Sequence, residues 1–226
     1  MKIHLPADIF TVVLIKFRRI VYNKEWKMMK IILASGSPRR REILEKMGLD
    51  FSVFVSEADE SSIDKKSVPV NIYVQELALL KANDAAEHIP EDNALIIAAD
   101  TVVYSDGKIM GKPQDEDDAF KMLKNLSGKC HSVFTGICVM RRSDMTGVCK
   151  SVETKVCFRN LSDEKIRSYI KSGEPMDKAG AYGIQGLGAL LIDRIDGDYF
   201  NVVGLPAAKL SEILEEEFDF DVFKGE

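Results

Sequence analysis

The sequence predicts a mixed α/β fold, a central sheet with flanking helices. Apolar runs rich in β-branched residues alternate with helix-spaced segments from residue 30 onward, and turn residues separate them clearly. Two long strand segments, "CHSVFTGICVMRR" and "GVCKSVETKVCFRN", stand side by side as an inserted hairpin. Composition agrees: 226 residues, 46% hydrophobic and 30% charged, suit one large α/β domain or two closely packed lobes. The net charge of -5 argues against a general nucleic-acid binder. It leaves a small anionic ligand open, because a pocket can be locally basic on an acidic protein.

"KIILA" opens the core as a short buried strand stopped by Ser35-Gly36. Ser37-Pro38 then reads as an N-cap with proline at the first helical position, and "RRREILEKM" continues as a helix ended by Gly48. "DFSVFVSE" alternates as a second strand, and Pro69 opens the long helix "VNIYVQELALLKANDAAEHI". "NALIIAADTVVY" is a nearly continuous apolar run, interrupted by Asp100-Thr101, and fits a central strand buried on both faces. "SDGK" makes a hairpin turn, and "GKPQ" leads into an acidic-started helix closed by Gly128. After the long hairpin, Ser162 caps the helix "DEKIRSYIKSG". "KAGAYGIQGLGALLI" is a glycine-punctuated loop entering a strand, and Pro206 starts the terminal helix "AAKLSEILEEEF".

Residues 1–28 read as an extension outside this core, with the domain running from 29 to 226 and Met28 or Met29 as an alternative start. Within "DIFTVVLIKFRRIVYNKEW" the apolar run is about seven residues, far short of the roughly 20 of a membrane helix, and its basic residues follow it. The four cysteines show no CxxC pair, so zinc is not expected. Cys130 with Cys157 and Cys138 with Cys149 have the same sum of positions. A hairpin centred near Ser143-Asp144 therefore places each pair directly cross-strand. In a cytosolic protein all four are expected to be reduced thiols.

Several residues carry chemistry in this reading. In "ASGSPRR", Ser35 and Ser37 can donate hydrogen bonds, Gly36 permits close backbone approach, and Arg39 and Arg40 offer planar forks. The helix start adds unsatisfied N–H groups and a positive dipole end, the parts of a phosphate cradle, although a capped helix with solvated arginines reads equally well. Asp100 ends the very apolar "IIAAD", where an unpaired charge is costly; it is read as a metal ligand or general base, or as an aspartate paired with Thr101 or a turn. Lys112 in "MGKP" can return to the same rim. Glu60, in a polar loop, and Lys81, interrupting an apolar helix face, are weaker candidates. In "DKAGAYGIQG", Tyr182 and Gln185 can stack on or hydrogen-bond a flat base.

In order along the chain stand "LASGSPRR", "AADTVV", "GKPQ" with "LSGKCHSVFTG", and "EPMDKAGAYGIQG" with "IDGDYFNVVGLP". This set resembles the Maf family of nucleoside triphosphate pyrophosphatases, from about residue 30 to the end. The resemblance implies two lobes around a nucleotide cleft, similar to the inosine triphosphate pyrophosphatase architecture. It implies hydrolysis of a triphosphate to monophosphate and pyrophosphate with a divalent cation, Mg²⁺ or Mn²⁺. Carried over by motif, Asp100 is the catalytic proton acceptor. Arg39, Thr101 and Gln185 set specificity, and Ser35, Arg40, Lys81 and Lys112 handle phosphates, joined by Ser37 from the reading of the helix start itself. Glu60 and Asp100 hold the metal, and "KAGAYGIQG" resembles the subgroup acting on dTTP and UTP. The expected partner is a nucleotide, not a nucleic acid or membrane; the expected location is cytoplasmic, and a homodimer is compatible. A metal-dependent nucleotidyltransferase and a non-catalytic nucleotide-binding regulator of cell division are the competing classes.

Overall fold

The computed structural model describes residues 29–66 and 68–224; the N-terminal extension lies outside them. The elements follow as β1 (Lys30–Ala34), α1 (Pro38–Lys46), β2 (Phe51–Phe54), α2 (Val70–His88), β3 (Ala94–Ser105) and β4 (Lys108–Met110). Then come α3 (Glu116–Leu126), β5 (Cys130–Arg141), β6 (Gly147–Phe158), α4 (Asp163–Ile170), β7 (Ile192–Asp196), α5 (Tyr199–Val203) and α6 (Ala207–Phe218). Three 3₁₀ turns, Glu174–Asp177, Ala179–Ala181 and Gly186–Leu191, fill the glycine-punctuated segment. The sheet has seven strands in the order β2-β1-β3-β5-β6-β7, with β4 added to β3. β1 is parallel to both β2 and β3, and all other pairings are antiparallel, so the mixed α/β expectation holds.

The central strand β3 is shared between separate packing regions. On one face Leu95, Ile97 and Ala99 pack with Ile43 and Leu44 of α1 and Leu210, Ile213 and Leu214 of α6. On the other, Ala94, Ile96 and Ala98 pack beneath the alanine stripe Ala78, Ala82, Ala85 and Ala86 of α2. Farther along, Val103 belongs to a third cluster with Leu123 of α3, Ile166 and Tyr169 of α4, and Tyr182. Asp100 and Thr101 therefore lie at the junction of the clusters, where the apolar run of β3 breaks.

Strand pairing changes at the same place. β1 pairs with β3 as far as Leu33↔Ile97, and β4 begins on the same edge at Val103↔Met110. Residues 98–102 are thus paired on one side only, to β5. The chain leaves β1 into "SGSPRR" and leaves β4 into Gly111-Lys112, both directed at this gap. Asp100 is consequently mid-strand, not at a strand end as the sequence suggested; it is the neighbouring strands that end. The principle that ligands gather where α/β sheets change connectivity still applies.

The long hairpin adopts the predicted register, with Cys130 opposite Cys157 and Cys138 opposite Cys149. The expectation of four reduced thiols is corrected, because Cys130 and Cys157 are joined by a disulfide. Cys138 and Cys149 remain thiols in hydrogen-bond contact; that contact, with burial, raises the Cys138 pKa. The short helix α5 was not anticipated. Five residues are too few to display a helical period, although Asp198 caps it by accepting from Phe200 N at 2.7 Å.

Candidate active site

Side chains alternate along β3, so Asp100 and Thr101 face opposite ways. Asp100 shares the face of Ala98 and meets α2. Its Oδ1 accepts from Lys81 Nζ at 2.6 Å, and the same ammonium lies 2.8 Å from Glu60 Oε1. Lys81 and Asp100 keep only 13% and 14% of their side-chain surface exposed, whereas Glu60 is 53% exposed. A half-open carboxylate and a nearly enclosed one thus converge on one cation position. Close approach of α2 makes this reach possible. Gly136 of β5 stands directly opposite Asp100, and a Cβ built there would fall 2.0 Å from the Val74 carbonyl oxygen of α2. Only glycine leaves that space for the helix backbone.

Thr101 shares the other face with Ala99. Its Oγ1 accepts from Arg40 Nη2 at 3.3 Å and lies 2.9 Å from Thr135 Oγ1, which itself bonds Asn201 O at 2.9 Å. Arg40 also donates from Nε to Gly204 O at 2.8 Å and from Nη1 to Ser35 Oγ at 2.9 Å. Ser35 Oγ further accepts from Ser37 N at 3.2 Å. Three of the five guanidinium N–H donors are therefore committed to the protein, and the other two have no partner among the described residues. Burial lowers the Arg40 pKa, and the nearby carboxylates Asp100 and Glu60 oppose that shift. Ser37 occupies the N-cap position of α1 without a side-chain capping bond.

Of the predicted residues, Glu60, Lys81 and Asp100 form one bonded group, and Ser35, Ser37, Arg40 and Thr101 form a second. Arg39 pairs with Asp177 at 3.7 Å, which ties the start of α1 to the glycine-rich segment. That segment docks at the β3 gap through Gly180 N, which donates to Gly111 O at 2.9 Å beside Lys112. Lys112 and Gln185 make no side-chain hydrogen bond or ion pair among the described residues. Projecting the β3–β4 register two residues past Val103↔Met110 sets Lys112 against Thr101. Tyr73 of α2 was not singled out from the sequence; burial, then the fields of Asp100 and Glu60, raise its phenol pKa. Its place on α2, about two turns before Lys81, was the available signal. Tyr182, proposed to stack on a base, is instead buried in a ring cluster with His131 and Phe158. An open depression around the disulfide, bordered by Lys129, Arg159 and Arg194, includes none of these residues.

An arginine bracket at a helix start beside a carboxylate–lysine–carboxylate array defines the class: a mixed α/β protein that gathers cationic and acidic side chains at a gap in its sheet. Comparison with known sequences then places the chain within that class. The family model for Maf-like proteins matches residues 30–217. A "dTTP/UTP pyrophosphatase" of Thermoanaerobacter sp. (strain X514) is 52% identical over 191 residues, spanning 84% of this chain and 98% of the relative. Proteins of the same name from Clostridium perfringens (strain SM101 / Type A) and Acetivibrio thermocellus are 51% and 48% identical. They span 83% and 87% of this chain, and 96% and 99% of their own lengths. The chain belongs to the Maf-like protein family. No helix among the described residues is long and apolar enough to cross a membrane.

Proposed function

We propose that this protein hydrolyses nucleoside triphosphates, foremost dTTP and UTP, to the monophosphate and pyrophosphate. The observation that carries the reading is the convergence of Asp100 and Glu60 on Lys81 beside the Arg40–Ser35 bracket. Relatives spanning most of the chain and bearing the name dTTP/UTP pyrophosphatase support the choice of substrate.

Arg39, the remaining donors of Arg40, the two serine hydroxyls and the first turn of α1 would hold the triphosphate. Asp100, held in place by Lys81, accepts a proton from the water that attacks the α-phosphorus. Lys81 and Lys112 balance charge on the departing pyrophosphate. The unengaged amide of Gln185 can pair with the carbonyl and N–H edge of uracil or thymine, and cytosine presents the inverse pattern. A divalent cation, Mg²⁺ or Mn²⁺, fits the acidic pair, because hard cations take oxygen ligands and Mg²⁺ is commonly held by one or two carboxylates plus phosphates. Among the described residues no group of three or more His, Cys, Asp or Glu side chains could hold a metal, so substrate oxygens and water would complete its shell. Asp100 and Glu60 would hold the cation, which would supply positive charge to offset that of the phosphates. A cytoplasmic location goes with a nucleotide substrate, and the disulfide is the observation against it.

Asp100→Asn tests the reading. The near-isosteric change should lower pyrophosphate release from dTTP by about a thousandfold, with a retained circular-dichroism spectrum. Unchanged turnover would remove Asp100 from its role. Formation of thymidine monophosphate with water as the sole acceptor separates hydrolysis from nucleotidyl transfer, and binding without turnover would favour the regulator.

A further inference from the structure

We propose that Glu174 is a positioning residue for nucleobase recognition, its carboxylate clamping the backbone turn that presents Gln185. The proposal rests on the reading of Gln185 as the base-contacting side chain. Gly173, at φ 75°, turns the chain out of α4 so that Glu174 folds back toward the segment 183–188. Glu174 Oε2 accepts from Leu187 N at 2.9 Å, and Oε1 accepts from Gly188 N at 3.0 Å. These are first-turn N–H groups of the 3₁₀ turn Gly186–Leu191, for which Gln185 is the N-cap residue. Gln185 supplies no side-chain cap, so Glu174 does this work from a distance and the Gln185 amide stays available.

The clamp is itself held. Tyr169, buried in α4, donates its hydroxyl to Glu174 Oε1 at 2.9 Å and accepts from Gly183 N at 3.4 Å. Burial, then the Glu174 carboxylate, raises the Tyr169 pKa, so it remains a neutral donor at physiological pH. Backbone anchors therefore lie on both sides of Gln185, at Gly183 and at Leu187-Gly188. Space is filled to match: a Cβ on Gly188 would lie 2.1 Å from Gly183 O and 2.8 Å from the Tyr169 hydroxyl oxygen. Lys178 Nζ bonds the Glu174 carbonyl at 2.8 Å, and Asp177 of the same turn holds Arg39. One short turn thus fixes the base-facing amide and touches an arginine of the phosphate cradle.

Glu174→Gln preserves size but turns an NH₂ toward one of two N–H donors, while Glu174→Asp keeps the charge on a shorter arm. Amide hydrogen exchange is measured first. In Glu174→Gln, Leu187 and Gly188 should exchange about tenfold faster with β3 amides unaltered, since a charge-assisted bond is lost. Steady-state kinetics on dTTP, dCTP and methyl triphosphate follow. The dTTP:dCTP preference should fall toward parity, KM for dTTP should rise more than kcat falls, and dTTP should lose more than methyl triphosphate. Glu174→Asp should recover part of the preference. Unchanged exchange would overturn the clamp; faster exchange with an unchanged dTTP:dCTP ratio, or equal losses on dTTP and methyl triphosphate, would overturn its part in recognition. Absence of triphosphate turnover by the unaltered protein would instead refute the pyrophosphatase reading, and exchange still decides the clamp independently.

Discussion

Acid sensitivity of this fold should trace in large part to His131. The side chain is 4% exposed, with its ring 5.3 Å from those of both Phe158 and Tyr182. Its Nε2 lies 2.7 Å from the Tyr182 hydroxyl oxygen, and its Nδ1 has no hydrogen-bond partner among the described residues. Burial lowers its pKa from an ordinary 6.5 to about 4. Between those values the unfolded chain binds a proton that the native protein refuses, so stability rises with pH across the window and falls on acidification. With pKa values of 6.5 unfolded and about 4 folded, about 2 kcal/mol is lost between pH 7 and pH 5, and about 3 kcal/mol by pH 4. His131→Phe keeps an aromatic ring but removes the titration. It also forfeits the Tyr182 hydrogen bond, a cost independent of pH. Urea unfolding at pH 7, 6 and 5 therefore gives the answer in the slope of stability against pH, where carboxylates contribute alike to both proteins. The variant should lose about 2 kcal/mol less than the parent over that range. Equal losses would show that His131 is protonated without penalty in the native state and refute the argument.

Other expectations follow from packing and covalent constraint. Gly136→Ala drives a Cβ into the Val74 carbonyl and should cost about 3 kcal/mol, with turnover falling as α2 and Lys81 shift; an unchanged melting temperature and rate would refute the close helix–strand contact. Opening the Cys130–Cys157 link, which spans 27 residues, should lower stability by about 3 kcal/mol. Urea midpoints with and without a thiol reductant read this directly, and identical midpoints, with Cys130→Ser matching the parent, would show that the link contributes nothing.

Polar residues that interrupt an apolar pattern could be picked out from the sequence. Asp100-Thr101 declared itself as the polar break in an apolar run, and Lys81 as a charge on a buried helix face. The cysteine register followed from position arithmetic, because antiparallel pairing conserves the sum of partner numbers. What escaped detection depends on segments meeting from far apart. Gly136 looks like any strand glycine until it stands across from Asp100 under a helix 62 positions earlier at Val74. Glu174 and Tyr169 resemble ordinary residues at the end of a helix, and their bonds to 183–188 arise only when the loop folds back. The oxidation state of Cys130 and Cys157 is not set by register, since Cys138 and Cys149 are opposed in the same way and stay reduced.

The one-sided pairing of residues 98–102 bears on how such a protein can diverge. The carboxylate proposed as the base, Asp100, belongs to the strand shared by every packing region, whereas the segment bearing Gln185 is a peripheral excursion between α4 and β7. If Gln185 reads the base as proposed, changes confined to residues 174–191 should shift base preference while leaving Asp100 and its lysine undisturbed. Changes near Asp100 would have to satisfy sheet, α2 and β5 together. On the proposed roles, substrate preference should therefore be easier to alter by mutation than the chemistry, a division imposed by where two neighbouring strands stop.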